Sequence, residues 1–101
     1  MSEKELIKEI KKYWKQNGWY VIRNQQNIGS HKGLADFTIL KDGIVIFVEV
    51  KGEKGRQSPA QKLFEKDIVK HGGYYCVCRS VDDFLFYVYD ECYELEQGED
   101  L

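Results

Sequence analysis

Apolar residues near the start of the chain recur at helical intervals. Leu6, Ile10, Tyr13 and Trp14 share one face while Lys8, Lys11, Lys12 and Lys15 fall on others, which predicts an amphipathic helix over residues 3–17. Ser2 stands where an N-cap belongs, Glu5 follows at the capping-box position, and Gly18 supplies a stop. The period then shortens. Residues 19–23 alternate well enough for a strand, and the polar run NQQNIGSHKG over 24–33 reads as a loop. Two further strands follow at 35–40 and 44–50, joined by the short hairpin signal Lys41-Asp42-Gly43. The second of them, IVIFVEV, is so apolar that it belongs at the centre of a sheet covered on both faces. After the charged segment GEKGRQS, Ser58 and Pro59 open a helix that runs to about residue 71, with Leu63, Phe64 and Ile68 inward and Gly72-Gly73 as its end. Residues 74–78 form another strand, 81–83 a short cap-like segment, and 84–89 either a last strand or a short helix. The order α-β-β-β-α-β predicts an α/β domain in which helices pack on a sheet of mixed strand direction.

At 101 residues there is room for one domain, and 43% apolar content excludes global disorder. A core of this size leaves a thin stability margin, so oligomerisation would help. The net charge of −2 at first argues against a nucleic-acid partner, but its distribution argues the other way. Six acids and no base lie in residues 90–101; without them, fifteen basic residues face eleven acidic ones over 1–89. The domain is therefore expected to occupy 1–89, followed by an acidic, mobile tail over 90–101. Cys76, Cys78 and Cys92 have no zinc-ligand spacing and read as buried small hydrophobes of a reduced, cytoplasmic protein. No run has the makings of a signal peptide or reaches membrane-spanning length.

Against this background Asp36, Glu49 and Lys51 stand out. The hairpin centred near Asp42 sets positions 36 and 49 at the same height on neighbouring strands, and Glu49 and Lys51, two apart, leave the same face. Two carboxylates at the end of an apolar strand pair would be costly to bury without compensation. A divalent cation supplies it, because Mg²⁺ accepts one or two carboxylates with water and phosphate oxygens completing its shell. Lys51 beside them can orient a water and offset charge developing on a phosphate. The set suits hydrolysis of a phosphate ester. A surface ion pair would account for D…E-x-K more cheaply, but Glu49 interrupts a strand too apolar to tolerate an unpaired charge.

Asp36, twelve residues, then Glu49-Val50-Lys51 resembles the PD-(D/E)XK nuclease core, and more closely its VRR-NUC branch. The likeness runs through Glu3, Leu6, Ile10, Trp14 and Gly18, Gly33-Leu34-Ala35-Asp36, the E-V-K strand end, Gly55-Arg56-Gln57-Ser58-Pro59-Ala60-Gln61, Gly72 or Gly73, and Arg79-Ser80, covering roughly residues 3–83. The Pro that the family pattern places before the aspartate is Ala35 here, which removes a rigid element but no ligand.

The resemblance implies a restriction-endonuclease-like fold and an endonuclease that depends on Mg²⁺ or Mn²⁺, with no organic cofactor. It implies that Asp36, Glu49 and the Val50 carbonyl hold the metal and that Lys51 positions the nucleophile. Glu3 is the preferred outer acid because it shares the face of Leu6 and Ile10, with Glu5 and Glu9 as alternatives. Gln61 is placed to meet the scissile phosphate or a water. Arg23, His31, Lys32, Lys54 and Arg56 lie on or beside the flanking loops and are candidates for phosphate contacts. Stand-alone VRR-NUC domains are, by the same resemblance, small homodimers of phage or prophage settings that cut branched DNA such as Holliday junctions. Rival readings are a flap- or single-strand-preferring nuclease and a catalytically silent nucleic-acid-binding subunit.

Overall fold

A computed structural model describes residues 1–93. Helix α1 (Glu3–Gln16) leads into β1 (Tyr20–Arg23), β2 (Phe37–Lys41) and β3 (Ile44–Val50); α2 (Pro59–Lys70), β4 (Tyr74–Cys78) and α3 (Val81–Tyr87) follow, and a π-helical turn, Val88–Tyr93, ends the described chain. The four strands form one sheet in the order β1-β2-β3-β4, antiparallel across the first three and parallel between β3 and β4. The mixed sheet flanked by helices is thus the architecture that the hydrophobic pattern predicts.

The elements begin and end where local chemistry dictates. Ser2 Oγ accepts from Glu5 N–H at the start of α1, and Gly18 leaves the helix at a φ of +80°. Asp42 and Gly43 both adopt positive φ between Lys41 and Ile44, the two-residue hairpin turn whose twist matches that of its strands. At α2, Ser58 Oγ accepts from Gln61 N–H and Gln61 Oε1 accepts from Ser58 N–H, a closed capping box with Pro59 in the first turn.

Two apolar clusters lie on the two sides of the sheet. The larger joins Leu6, Ile10 and Trp14 of α1 and Phe84 of α3 to Phe37, Ile39, Ile46, Val48 and Val50. Trp14 meets both Phe37 and Phe84 edge to face, with centroids 5.2 and 5.6 Å apart. The smaller is built by Phe64 of α2 with Ala35 and Tyr75, and Phe47 packs on it. Alternation along β3 therefore commits Val48 and Val50 to the α1 side and Phe47 to the α2 side, and Glu49 follows Phe47. Cys76 and Cys78 are buried on the α1 side as free thiols, and Cys92 is buried in the same cluster. Residues 84–89 are helical rather than a strand. The acidic segment read from residue 90 onward begins inside the fold, since the π-helical turn reaches Tyr93 and Cys92 is fully buried. Residues 94–101 of that segment lie outside the described residues. No described helix is long and apolar enough to cross a membrane.

Candidate active site

The pairing of β2 with β3 sets Phe37 opposite Val48, so Asp36, one residue before β2, stands level with Glu49. Asp36 Oδ2 accepts from the Val50 N–H at 2.8 Å, tying the aspartate to the end of β3. From the other side Asn24 grips the same segment. Its backbone N–H donates to the Asp36 carbonyl at 2.9 Å, and its side-chain amide donates to the Ala35 carbonyl and to Thr38 Oγ1. Gly33 lets this segment approach α2: it adopts a φ of +73°, and a Cβ there would stand 2.2 Å from the Ala60 carbonyl oxygen.

Glu49 is fully buried. Tyr75 Oη donates to its Oε1 at 2.9 Å, while Oε2 has no hydrogen-bond partner. Burial pushes the Glu49 carboxyl above its ordinary 4.5; the Tyr75 bond and the Lys51 charge pull it down, and the Asp36 charge pushes it up again. Burial, then the Glu49 charge, also raise the Tyr75 phenol, so it stays a donor.

Lys51 N–H donates to the Cys78 carbonyl at 3.0 Å, which anchors the lysine just past the strand end on the Glu49 side. Beyond it, residues 52–55 turn back tightly, with Gly55 N–H donating to the Gly52 carbonyl. Gly52 also touches the start of α1: a Cβ built there would stand 3.7 Å from Glu3 N and 3.9 Å from Glu3 Cβ. Glu3 is thereby the first-turn acid placed next to Lys51-Gly52.

The other predicted site residues divide. Gln61 spends its carbonyl oxygen on the capping box, which leaves its amide nitrogen for a substrate. Lys54 and Arg56 are exposed on the loop that follows Lys51, and Lys32 is exposed in the loop before Gly33. His31 packs its ring on Phe64, with centroids 5.2 Å apart. Arg23 does not join the cluster: its guanidinium sits 4.9 Å above the Phe37 ring, on the α1 side of the sheet.

Three residues outside the predicted set prove to build the site. Tyr75 holds Glu49, Gln57 lies in the loop after Lys51 and donates to Glu65 Oε1, and Arg79 Nη1 donates to the Gly52 carbonyl at 2.8 Å. Tyr75 gains its role only because the parallel crossover through α2 sets β4 beside β3. The strand end Arg79-Ser80 was visible as a motif, but nothing local says that its guanidinium clamps the loop after Lys51.

The chain matches the model of the VRR-NUC domain over residues 2–82. It belongs to the VRR-NUC family. A solved VRR-NUC domain superposes with a TM-score of 0.73 at 21% identity, covering 90% of this chain and 99% of its own, a likeness that speaks for the fold. No curated protein matches the chain by sequence. Membership makes this a nuclease-type domain. Among the described residues no three His, Cys, Asp or Glu side chains cluster as a metal site, so any cation in this VRR-NUC domain would rest on the Asp36 and Glu49 pair. The pair fits Mg²⁺, which is held by one or two carboxylates plus water, and the unpartnered Glu49 Oε2 is the kind of atom such an ion satisfies.

Proposed function

We propose that this VRR-NUC domain is a divalent-metal-dependent endonuclease that hydrolyses DNA phosphodiester bonds, with preference for branched DNA such as a four-way junction. The observation that carries the proposal is the convergence of Asp36, Glu49 and Lys51 at one end of β3, with a buried carboxylate oxygen that no protein group satisfies. A structural ion pair would pair both oxygens of a carboxylate so deeply buried.

Asp36, Glu49 and the Val50 carbonyl would hold Mg²⁺ or Mn²⁺. When bound there, such a cation supplies positive charge to a phosphoryl oxygen and makes a water more acidic. Tyr75 keeps the Glu49 carboxylate in one orientation, and the Val50 N–H does the same for Asp36. Lys51 orients the attacking water and neutralises charge developing on the phosphate. Glu3, whose backbone adjoins Gly52, would be the outer acid, reaching the metal directly or through a water. Lys32, Lys54 and Arg56 offer exposed positive charge on the loops around the site for neighbouring phosphates. The buried free thiols of Cys76 and Cys78 suit the reducing cytoplasm of a host cell.

The junction preference rests on the size of the domain and on a dimer. Among the described residues no element is spare for reading bases, and a two-fold dimer would offer two sites to symmetry-related strands. Exposed Leu85, Phe86 and Tyr89 rim an apolar groove of about 360 Å³ against Tyr13 and Trp19, a surface on which a second copy can pack.

The deciding experiment is cleavage of a labelled four-way junction and its linear duplex control in Mg²⁺ and Mn²⁺, with wild type and Lys51→Ala. Paired nicks near the branch, falling at least about 100-fold in the variant while DNA binding persists, are the expected result. Equal cutting of both DNAs removes the junction preference, and preferred cutting of flapped or single-stranded arms replaces it. Binding without cleavage in either metal leaves a silent DNA-binding subunit.

A further inference from the structure

The outer surface of α1 carries a feature that the cleavage site does not use. Lys4, Lys8, Lys11 and Lys15 follow one another at intervals of four, three and four residues, so they form a single stripe along the helix. All four are exposed, and among the described residues no carboxylate holds any of them in an ion pair. Of the acids of α1, Glu5 borders the stripe at its first turn and the other two lie elsewhere. Glu3 sits against Gly52, and Glu9 faces the other flank, beside Arg79 and Val81. At its far end the stripe opens into a groove of about 490 Å³ lined by Lys11, Lys12, Lys15, Trp19, Tyr20 and Val21, on the edge strand β1. Arg23 adds a fifth positive group on the same side of the sheet, over Phe37 and thus next to Trp14 of α1.

We infer that this stripe is a track for the phosphate backbone of a duplex DNA arm that extends away from the cleaved bond. Its position supports this, since Lys4 adjoins Glu3 at the site and Lys15 lies about 16 Å along the helix at a rise of about 1.5 Å per residue. That length matches about five base pairs of duplex at about 3.4 Å each. Charge names the partner as a polyanion. The duplex is favoured over a single strand because the groove offers one well-exposed aromatic ring, Tyr20, whereas single-strand surfaces set out successive rings for successive bases. The contacts would be ionic and indifferent to sequence, giving Arg23 the phosphate-binding role that its place across the sheet denies it at the cleavage site. The inference rests on the DNA-cleaving reading for the identity of the polyanion.

Anisotropy titrations of a labelled duplex of about 20 base pairs test it, between about 50 and 200 mM salt, without divalent metal so that nothing is cut. Three proteins are compared: wild type, the triple variant Lys8→Gln, Lys11→Gln, Lys15→Gln, and the same three positions changed to Arg. The glutamine variant should lose about 0.9 of log–log salt slope per contact, about 2.7 in all, and the arginine variant should keep the wild-type slope. An unchanged slope in the glutamine variant overturns the inference. So does an arginine variant as weak as the glutamine one, or a loss confined to a single-stranded oligonucleotide. Failure of the nuclease reading would show separately, as a wild type that binds duplex with the full slope but cuts nothing when Mg²⁺ is added.

Discussion

Burial holds the Glu49 carboxyl above its ordinary 4.5 because its charge must be carried inside the sheet, with one oxygen bonded to Tyr75 and the other to nothing. The folded protein therefore keeps a proton in a pH range where the unfolded chain has already released it. Raising the pH of the metal-free protein through that window, from about 4.5 upward until the folded carboxyl ionises, lowers stability. Glu49→Gln removes the titration. Denaturant midpoints of the variant should therefore stay flat where those of wild type decline with rising pH, and added Mg²⁺ should restore wild type alone. Parallel pH curves for the two proteins would show that Glu49 is not the group responsible. Asp36, Glu49 and Lys51 were legible as residues because charge inside an apolar strand is conspicuous. Tyr75 was not, because its hydroxyl becomes meaningful only once β4 lies beside β3.

Among the elements, α2 does more than cover a face of the sheet. Its first turn is the floor on which Gly33 rests, and the backbone leading from Gly33 places Asp36. Gly33→Ala would force a Cβ into the Ala60 carbonyl at a left-handed φ, so the chain must back away from the helix. The conformation alone costs about 1–2 kcal/mol, and the clash with backbone adds to it. A loss of about 2 kcal/mol or more in urea unfolding should accompany a fall in cleavage, since Asp36 moves with the segment. An unaffected melt would mean that the close approach is not kept in solution. The cap of α2 could be read directly from Ser58-Pro59-Ala60-Gln61, and because it engages the Gln61 carbonyl it leaves the amide N–H groups for the phosphate contact that the family likeness implies.

On the scale of the whole molecule, two grooves meet at Trp19, past the C-terminal end of α1. Lys11, Lys12 and Lys15 line the one on the β1 edge, while Leu85, Phe86 and Tyr89 line the other, whose one cation is Lys41. Phe86 is 70% exposed and Tyr89 63%, an expense of apolar surface that a small domain meets most simply by burying it in a second copy. Light scattering should give twice the chain mass for wild type and the single-chain mass for Phe86→Asp, with the fold of each confirmed by circular dichroism. A wild type of single-chain mass would refute the dimer and leave the cleavage site untouched.

What the sequence determined by itself was local or periodic. Helices α1 and α2, the hairpin, their caps and the central place of β3 all follow from side-chain spacing and turn chemistry, which act over a few residues. The level placement of Asp36 and Glu49 also follows, because a two-residue turn dictates register. What only the tertiary structure decided depends on contacts between distant segments. Tyr75 meets Glu49 across 26 positions, Arg79 reaches Gly52 across 27, and the start of α1 comes to rest against Gly52. Residues 84–89 belong with these. Their aromatic run suits strand or helix equally, and packing against Trp14 and Trp19, through Phe84, selects the helix.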